Sequence, residues 1–288
     1  MISVMFVTHP KYTLLSLHTE LSQTNAIDWM VSKKILIDEV KCPKCNIDMI
    51  RNGKDMRCNK QQCRKKQSIF KNTFFFHMRL DYSKFFMILY CWLWKYPAFV
   101  TIHENGISSE TYANHSNYFR ELCQNFTFMK SQKTIGGDGH VVQIDEMCVG
   151  KRKYNVGRMP AHGQEWYFGG IDMETKEVFY CFVENRSSAV LMEKIRQHIL
   201  PGTIIWSDSW KGYVDVDEEF EHDMVNHKQE FVAFDGTNTQ QIEATNGAVR
   251  RLLKRNGTHL EEDHLDFYFE EYIWRKRNQK NMIFSNNF

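Results

Sequence analysis

From Val141 onward, the chain follows an order of β-rich and helical segments that few folds accommodate. Three β-rich segments come first, then a helix, a fourth strand, a short fifth strand and a further helix. The predicted bounds are strands Val141–Asp145, Trp166–Ile171 and Val178–Val183, a helix from Ser187 to about Ile199, strands Thr203–Asp208 and about Asp223–Asn226, and a helix from about Thr239. Three adjacent strands followed by a helical crossover to a fourth are typical of an α/β domain with a mixed sheet flanked by helices.

Three carboxylates lie where such a domain gathers its ligand chemistry. Asp145 ends the first predicted strand, Asp208 ends the fourth, and Glu243 falls in the first turns of the later helix. Ligands of open α/β sheets bind at strand ends where the strand order switches. Neighbouring first and fourth strands would therefore bring the two aspartates together. Considered singly, each acid also fits an exposed loop residue or a helix cap.

This arrangement of acids predicts a divalent cation. Close carboxylates repel one another at neutral pH unless a cation offsets their charge, and oxygen ligands without Cys or His suit Mg²⁺ or Mn²⁺. Two such ions can activate a water or a 3′-hydroxyl and stabilise the leaving oxygen of a phosphodiester. Glu146 is not expected to be a ligand, because successive side chains of a strand point to opposite faces.

Four of the eight cysteines are clustered upstream, at positions 42, 45, 58 and 63. Two residues separate Cys42 from Cys45 and four separate Cys58 from Cys63, with twelve between the two pairs. Clustered cysteines in a chain without an evident secretory signal favour metal binding over disulfides. The pattern predicts a structural, tetrahedral Zn²⁺ that supports folding rather than catalysis. Four reduced cysteines in a small core are the alternative.

Basic residues are concentrated around these cysteines. The formal net charge of the chain is only +2, yet the segment Lys41–Lys71 contains ten Lys or Arg against Asp48 and Asp55. Such asymmetry is typical of a surface that meets an acidic polymer, or of a solvated basic face. The most apolar run, Phe85–Trp94, is ten residues long, whereas a membrane span needs about 20. No membrane partner is expected.

Helical patterns flank the cysteine cluster. The first covers roughly Leu14–Ile37, and an apolar helix is predicted from about Ser83 to Tyr96. Gly106 then interrupts the pattern, and Ser108 can cap a new helix that runs to about Cys123. The resulting pair is a candidate helix-turn-helix or an ordinary helical hairpin.

Several motifs of the second half occur in the order found in one family. The span Ile135–Asn155 reads IGGDGHVVQIDEMCVGKRKYN, and WYFGG, NRSS, LPGT, SDSWKGY, VNH and TQQIE follow it, ending in the Trp274–Arg275 region. This string resembles the catalytic domain of ISXO2-like transposases, which include the bacterial IS1595-type elements and the eukaryotic Merlin transposases. The resemblance implies an RNase H-like fold and a two-metal DDE mechanism. The carboxylates of that mechanism map onto Asp145, Asp208 and Glu243.

Two positions depart from the family pattern. Arg250 stands seven residues after the last acid, where the family usually has a lysine. It keeps the positive charge and can still hold a phosphate, in a different geometry. Asn246 stands three residues after that acid, where a tryptophan is common. His227 matches the VNH motif, and no physical role is assigned to it.

The resemblance also implies DNA as the partner, since these transposases carry a zinc ribbon upstream of the catalytic domain. The basic residues near the cysteines are expected to contact phosphates; they are Arg57, Lys60, Arg64, Lys65 and Lys66. A second basic set either contacts the DNA backbone near the scissile phosphate or forms a solvated turn; it comprises Lys151, Arg152, Lys153 and Arg158. The helix after Gly106 is expected to read terminal inverted repeats. Joining two element ends to target DNA implies at least a dimer on DNA.

The sequence therefore predicts a metal-dependent DNA transposase with four regions. These are an N-terminal helical segment (1–38), a zinc ribbon (39–73), a helical DNA-binding region (74–134) and an RNase H-like catalytic domain (135–288). One alternative is a domesticated, non-catalytic DNA-binding regulator; another is a different nuclease of this fold, such as a ribonuclease H or a junction resolvase. The similarity to Merlin transposases favours a eukaryotic host and the nucleus, whereas a bacterial host would place the protein in the cytoplasm or nucleoid.

Overall fold

The computed structural model describes residues 12–129, 134–149, 165–225, 238–255 and 262–283. The chain divides into two compact units between Phe119 and Arg120, and the second unit extends to Lys280. The cysteine cluster belongs to the first unit and the three carboxylates to the second. None of the helices within the described ranges is both long enough and apolar enough to cross a lipid bilayer.

The first unit combines a small β-sheet with helices. Its elements are α1 (Leu14–Gln23), α2 (Ala26–Ser32), β1 (Met49–Asn52), β2 (Asp55–Cys58), β3 (Lys66–Ser68), a 3₁₀ turn (Phe74–His77), α3 (Tyr82–Leu93), α4 (Ala98–Asn105) and α5 (Ser109–Met129), which continues into the second unit. The three strands form an antiparallel sheet. The helical segment predicted over Leu14–Ile37 is two helices, because the side chain of Asn25 accepts a hydrogen bond from the backbone N–H of Ile27 and starts a new helix.

The predicted pair of helices around Gly106 is present. Helix α4 ends at Asn105, and Gly106 adopts the left-handed conformation (φ 55°) that commonly closes a helix. Ser108 then accepts a hydrogen bond from the backbone N–H of Thr111 at 3.0 Å, as expected of a helix cap. Local chemistry therefore explains the turn, whereas a DNA-reading role for the helix pair stays a prediction.

The second unit is built on a five-stranded mixed sheet. Its remaining elements are β4 (Val141–Val149), β5 (Glu165–Asp172), β6 (Val178–Val183), α6 (Ser188–His198), β7 (Ile204–Asp208), β8 (Glu221–Val225), α7 (Gln240–Arg255) and α8 (Glu262–Ile283). The strand order is β6-β5-β4-β7-β8, and β4, β7 and β8 run parallel while β5 pairs antiparallel with both neighbours. The predicted mixed sheet is confirmed, and the first and fourth strands of this unit are neighbours.

Helices cover both faces of this sheet. One face packs against α6 through a buried cluster that includes Ile144 and Leu191. The other packs against α7 and α8 through a cluster that includes Met147, Ile242 and Phe269. Because strand side chains alternate, the odd-numbered residues of β4 point toward α7 and α8.

Two glycines in β5 let aromatic rings of β6 lie flat on the sheet. A Cβ atom on Gly169 would lie 2.5 Å from the ring of Tyr180, and one on Gly170 would lie 2.5 Å from the ring of Phe179. Neither distance is compatible with a real side chain. The Gly-Gly pair of the WYFGG motif is therefore needed for packing, once on each face of the sheet.

The first strand of the second unit is longer than predicted, so Asp145 does not end it. Strand β4 continues to Val149 because its antiparallel pairing with β5 extends as far as Val149 opposite Glu165. Strand β7, on the other edge of β4, ends at Asp208. Asp145 therefore lies where one neighbour of β4 stops and the other continues.

The Trp274–Arg275 motif region contributes a buried ion-pair network. Both oxygens of the Glu271 carboxylate accept hydrogen bonds, one from Nε of Arg120 at 2.9 Å and one from Nε of Arg275 at 2.7 Å. All three side chains are less than a tenth exposed. This motif therefore serves the packing of α8 against α5 within the second unit.

Candidate active site

Asp145 and Asp208 lie beside each other on neighbouring parallel strands. The last residue pair in the register of β4 and β7 is Gln143 with Trp206. Two residues further along both strands, the same register sets Asp145 next to Asp208. Both side chains share the face of Gln143, which is covered by α7 and α8.

Helix α7, which carries Glu243, is anchored to β4 by Gln143. The Oε1 atom of this fully buried side chain accepts hydrogen bonds from the backbone N–H groups of Gln241 and Ile242, both at 3.0 Å. These N–H groups belong to the first turn of α7, where no intrahelical acceptor is available. Gln143, two positions before Asp145, therefore fixes the start of α7 and with it the position of Glu243. Sequence reasoning missed this role.

Asn246 connects the same helix directly to Asp145. Its side-chain amide donates to Oδ2 of Asp145 at 2.8 Å, and its carbonyl oxygen accepts from the hydroxyl of Tyr180 at 2.7 Å. Asn246 and Tyr180 are both buried. Tyr180 reaches this position across the sheet because Gly169 has no side chain.

Glu243, Asn246 and Arg250 lie along one side of α7. Their spacing of three and seven residues corresponds to successive turns of a helix. Glu243 and Arg250 are exposed, and Oε1 of Glu243 accepts a hydrogen bond from the hydroxyl of Thr239 at 2.9 Å. The two positions that depart from the family pattern therefore share one face with the last acid.

The negative charges of Asp208 and Glu243 act on Asp145. Burial and the charge of Asp208 raise the pKa of Asp145 to about 6, and the charge of Glu243 acts in the same direction. Hydrogen bonds from Asn246 and from the backbone N–H of Glu146 oppose this shift. Within the described residues, only the four clustered cysteines have ligand atoms that all lie within 4.8 Å of one another. The carboxylates are thus neighbours but form a looser group.

Glu146 belongs to the opposite face of the sheet. Its partner in β5 is Phe168, which lies in the cluster beneath α6. Burial raises the pKa of Glu146 to about 7, and the charges of Asp145 and Asp208 add to this shift. The buried hydroxyl of Tyr213 lies close to this carboxylate and opposes the shift. The geometry agrees with the expectation that Glu146 is directed away from the acidic site.

An arginine that the sequence analysis did not single out contacts Trp166, which packs on the α6 side of the sheet, and Trp210, which follows the end of β7. The guanidinium carbon of Arg186 is 3.9 Å from the ring centre of Trp166 and 4.5 Å from that of Trp210. Each indole face attracts the cation, so the two contacts together fix the guanidinium group. These residues come from three separate motifs, WYFGG, NRSS and SDSWKGY, and only the folded chain brings them together.

The four upstream cysteines form a compact group of thiols. The Sγ atoms of Cys42 and Cys63 are 3.7 Å apart and those of Cys45 and Cys58 are 3.3 Å apart. A residue in the left-handed conformation directly follows the second cysteine of each sequence pair: Asn46 (φ 55°) follows Cys45, and Arg64 (φ 43°) follows Cys63. The group can therefore hold a tetrahedral metal ion.

The thiols of this group differ in acidity. Burial alone would raise the pKa of Cys42, but backbone N–H groups of Lys44 and Cys45 lower it to about 6. The backbone N–H of Lys60 favours the thiolate of Cys58, yet burial and the neighbouring thiols raise its pKa to about 12. One member of the group thus ionises easily, as metal binding by thiolate requires.

Only one of the two sets of predicted DNA-contacting residues lies within the described part of the chain. All five basic residues near the cysteines are exposed, and Lys66 forms an ion pair with Asp55 at 2.9 Å. The second set, Lys151, Arg152, Lys153 and Arg158, lies outside the described residues, as does His227. DNA contact by either set stays a prediction.

The second half of the chain matches a known family. The model of the ISXO2-like transposase domain matches residues 135–277. An uncharacterized transposase-like protein of Haemophilus influenzae is 30% identical over 105 residues, which cover 36% of this chain and 84% of that protein. Male abnormal protein mab-31 of Caenorhabditis elegans is 26% identical over 216 residues, and the match spans 65% of this chain and 48% of that protein.

Two solved structures are also similar. One is the HTLV-2 integrase catalytic core domain in complex with magnesium, with a TM-score of 0.31 and 15% identity over 48% of this chain and 84% of that chain. The other is the simian T-cell lymphotropic virus intasome in complex with PP2A regulatory subunit B56 gamma, with a TM-score of 0.33 and 12% identity over 65% of this chain and 67% of that chain. The family model and the bacterial relative are the stronger matches. The chain belongs to the ISXO2-like transposase family.

Proposed function

We propose that the chain is a DNA transposase with an RNase H-like catalytic domain and a DDE site made of Asp145, Asp208 and Glu243. Water would attack a phosphodiester at the element end, and the freed 3′-hydroxyl would then attack target DNA. The observation that carries the proposal is the placement of Asp145 beside Asp208, with the Glu243 helix anchored to the same strand, in a chain of this family.

The three acids suit divalent cations. The donor set consists of carboxylate oxygens alone, and burial together with the neighbouring negative charges raises the pKa of Asp145, which indicates a need for positive charge. Asp145, Asp208 and Glu243 would hold two Mg²⁺ or Mn²⁺ ions. When bound, such ions polarise the phosphate and support the attacking and leaving oxygens.

The protein's own side chains would orient this site. The amide of Asn246 donates a hydrogen bond to Oδ2 of Asp145, and the backbone N–H of Glu146 donates one to Oδ1. Both oxygens of this carboxylate are therefore oriented by the protein. Gln143 fixes the start of α7 and therefore the position of Glu243. Arg250, on the same side of α7, would offer its guanidinium to a DNA phosphate.

The first unit would bind DNA and hold a structural Zn²⁺. A closed Cys₄ site supports folding, and the exposed basic residues beside it would contact phosphates of the terminal inverted repeats. Pairing of two element ends would need at least two copies of the chain on DNA.

A cleavage assay tests the proposal. The full chain is incubated with Mn²⁺ and a duplex that carries the genomic sequence flanking its gene, and nicking and strand transfer are measured for wild type and for Asp208→Asn. Glu221→Gln, an exposed acid on the neighbouring strand β8, is the matched control. We expect activity in wild type and control and its loss in Asp208→Asn; equal activity in all three would contradict the assigned site.

A second function is favoured by one observation. Asn246 stands where the family often has a tryptophan, and it holds Asp145 by a hydrogen bond. A domesticated DNA-binding regulator would tolerate such a change. Inactivity of every variant, combined with tight and specific DNA binding, would support this alternative.

A further inference from the structure

Arg186 is a charged side chain whose guanidinium contacts two aromatic rings. Its guanidinium lies between the rings of Trp166 and Trp210. Within the described part of the chain it makes no hydrogen bond or ion pair, and Glu146, the carboxylate on which its charge acts, is not within ion-pair distance. Guanidinium groups carry five in-plane N–H donors that suit the oxygens of a phosphate. The fixed charge therefore lacks the anion that its geometry fits.

The stack is connected to the acidic site through Trp210. The backbone N–H of Trp210 donates to Oδ1 of Asp208 at 3.2 Å, while the indole of the same residue lies on Arg186. Arg186 is thus one residue removed from a proposed catalytic acid.

The position of Trp210 is built into the fold. A Cβ atom on Gly212 would lie 2.7 Å from Nε1 of Trp210 and 2.9 Å from Leu191. Only glycine at position 212 lets the indole approach the backbone this closely. The other ring, Trp166, is fixed by its strand, where it pairs with Cys148 of β4 and Val183 of β6. Two independent elements therefore hold the guanidinium in place, at a cost in side-chain freedom that a solvent-exposed arginine does not bear.

We infer that Arg186, held between Trp166 and Trp210, binds a phosphate of the DNA backbone at the edge of the sheet where β7 ends in Asp208. The inference rests on the proposed function, because DNA is the phosphate-bearing polymer that the site would act on. Arginine suits this task better than lysine, since it is always charged, stacks on aromatic rings and binds phosphate with two parallel hydrogen bonds. The exposed indole of Trp210, which is 39% accessible, would lie along the same DNA strand.

Salt-dependent binding tests the inference without requiring catalysis. The full chain is titrated, in Ca²⁺ buffer, against a fluorescent duplex of arbitrary sequence at several salt concentrations, and the slope of log affinity against log salt is determined. Arg186→Gln removes the charge, and Arg186→Lys keeps the charge but loses the stacked, two-pronged geometry. Arg196→Gln is the matched control, because Arg196 lies on α6, is exposed, and forms an ion pair with Glu219.

We expect Arg186→Gln to bind the duplex about tenfold more weakly than wild type at low salt. The slope of log affinity against log salt should decrease in magnitude by about one. Arg186→Lys should keep the slope and lose affinity, and Arg196→Gln should match wild type. Thermal unfolding of each variant shows whether the variant is folded, so that a loss of DNA binding can be distinguished from a loss of folding. An unchanged slope in folded Arg186→Gln overturns the inference, and so does a slope change of the same size in Arg196→Gln. If Arg186→Gln is unfolded, Arg186→Lys with wild-type affinity overturns it instead.

The outcome is independent of the cleavage assay. A reduced slope in Arg186→Gln would support the DNA contact even if no variant cleaved DNA. Conversely, cleavage that depends on Asp208 with an unchanged slope in Arg186→Gln would leave the proposed function intact and remove only this contact.

Discussion

Asn246 shows how a single departure from a family pattern can be accommodated. The ionised carboxylate of Asp145 can only accept hydrogen bonds, so the amide nitrogen of Asn246 must face it, and the carbonyl oxygen of Asn246 then accepts from the hydroxyl of Tyr180. A tryptophan at this position would have one N–H donor and no acceptor. The asparagine therefore links Tyr180 to Asp145 in a way that tryptophan cannot reproduce.

The link predicts energetic coupling between two residues that are 66 positions apart. Asn246→Leu should lower the free energy of unfolding by about 1–3 kcal/mol, because it leaves a buried hydroxyl unpaired. Tyr180→Phe should cost about 1 kcal/mol. The double variant should cost less than both together, by at least about 0.5 kcal/mol. Urea denaturation measures all three, and strictly additive values would contradict the link.

The glycine pair of β5 offers a matched test at the same scale. Gly169→Ala and Gly170→Ala should each destabilise the chain by about 1–3 kcal/mol, because a methyl group would overlap an aromatic ring. Only Gly169→Ala displaces Tyr180 and hence Asn246 and Asp145. We therefore expect DNA cleavage to fall more in Gly169→Ala than in Gly170→Ala at equal stability. Equal loss in both would mean that the ring of Tyr180 does not act through Asn246.

At the scale of elements, the strand and helix types could be predicted from sequence, and the contacts between distant elements could not. Alternation placed Asp145 and Glu146 on opposite faces, and Ser187 marked the start of a helix that does begin at Ser188. The extension of β4 to Val149 was missed, because it depends on pairing with β5. The Gln143 contact was missed for a similar reason, since its acceptor and donors are almost 100 residues apart.

Gln143 gives a prediction about the whole of α7. Gln143→Leu keeps the approximate size of the side chain but removes the acceptor for two helix N–H groups, so it should cost about 1–3 kcal/mol of unfolding free energy. Exposed Gln241→Leu, at the start of the same helix, should be nearly neutral. Hydrogen exchange at the start of α7 should accelerate in the first variant only. Unchanged exchange there would contradict the anchoring role.

At the scale of the whole molecule, the acidic site makes stability depend on pH. The folded chain raises the pKa of Asp145 to about 6 from its ordinary value near 4, so the folded state binds more protons than the unfolded state between these values. Stability should therefore fall as pH rises from about 4 to about 6 in the absence of divalent ions. Added Mg²⁺ should reverse the loss above pH 6.

Thermal unfolding across this range, in buffer with and without Mg²⁺, measures the effect. Asp208→Asn removes the stronger of the two neighbouring charges that act on Asp145, so the melting temperature of this variant should vary less with pH and respond less to Mg²⁺. A variant that keeps the full wild-type pH dependence would contradict the electrostatic account.

The four-cysteine group predicts a metal requirement of the first unit. Native protein should contain about one Zn²⁺ per chain, and Cys42→Ser combined with Cys45→Ser should abolish it. Cys91→Ser, a buried cysteine outside the group, should retain the metal. Elemental analysis measures the stoichiometry. Native protein without zinc, or loss of zinc in Cys91→Ser, would contradict the assignment.

The seven-residue interval from Glu243 to Arg250 restricts how this gene can change in length. Each residue of a helix turns the chain by about 100°, so one inserted codon between these positions would rotate Arg250 by about 100° around α7, away from the side on which Glu243 lies. Insertions of a whole number of turns would be tolerated far better. Under the proposed transposase function, copies of the gene that differ in length within this interval should therefore be rare among active copies.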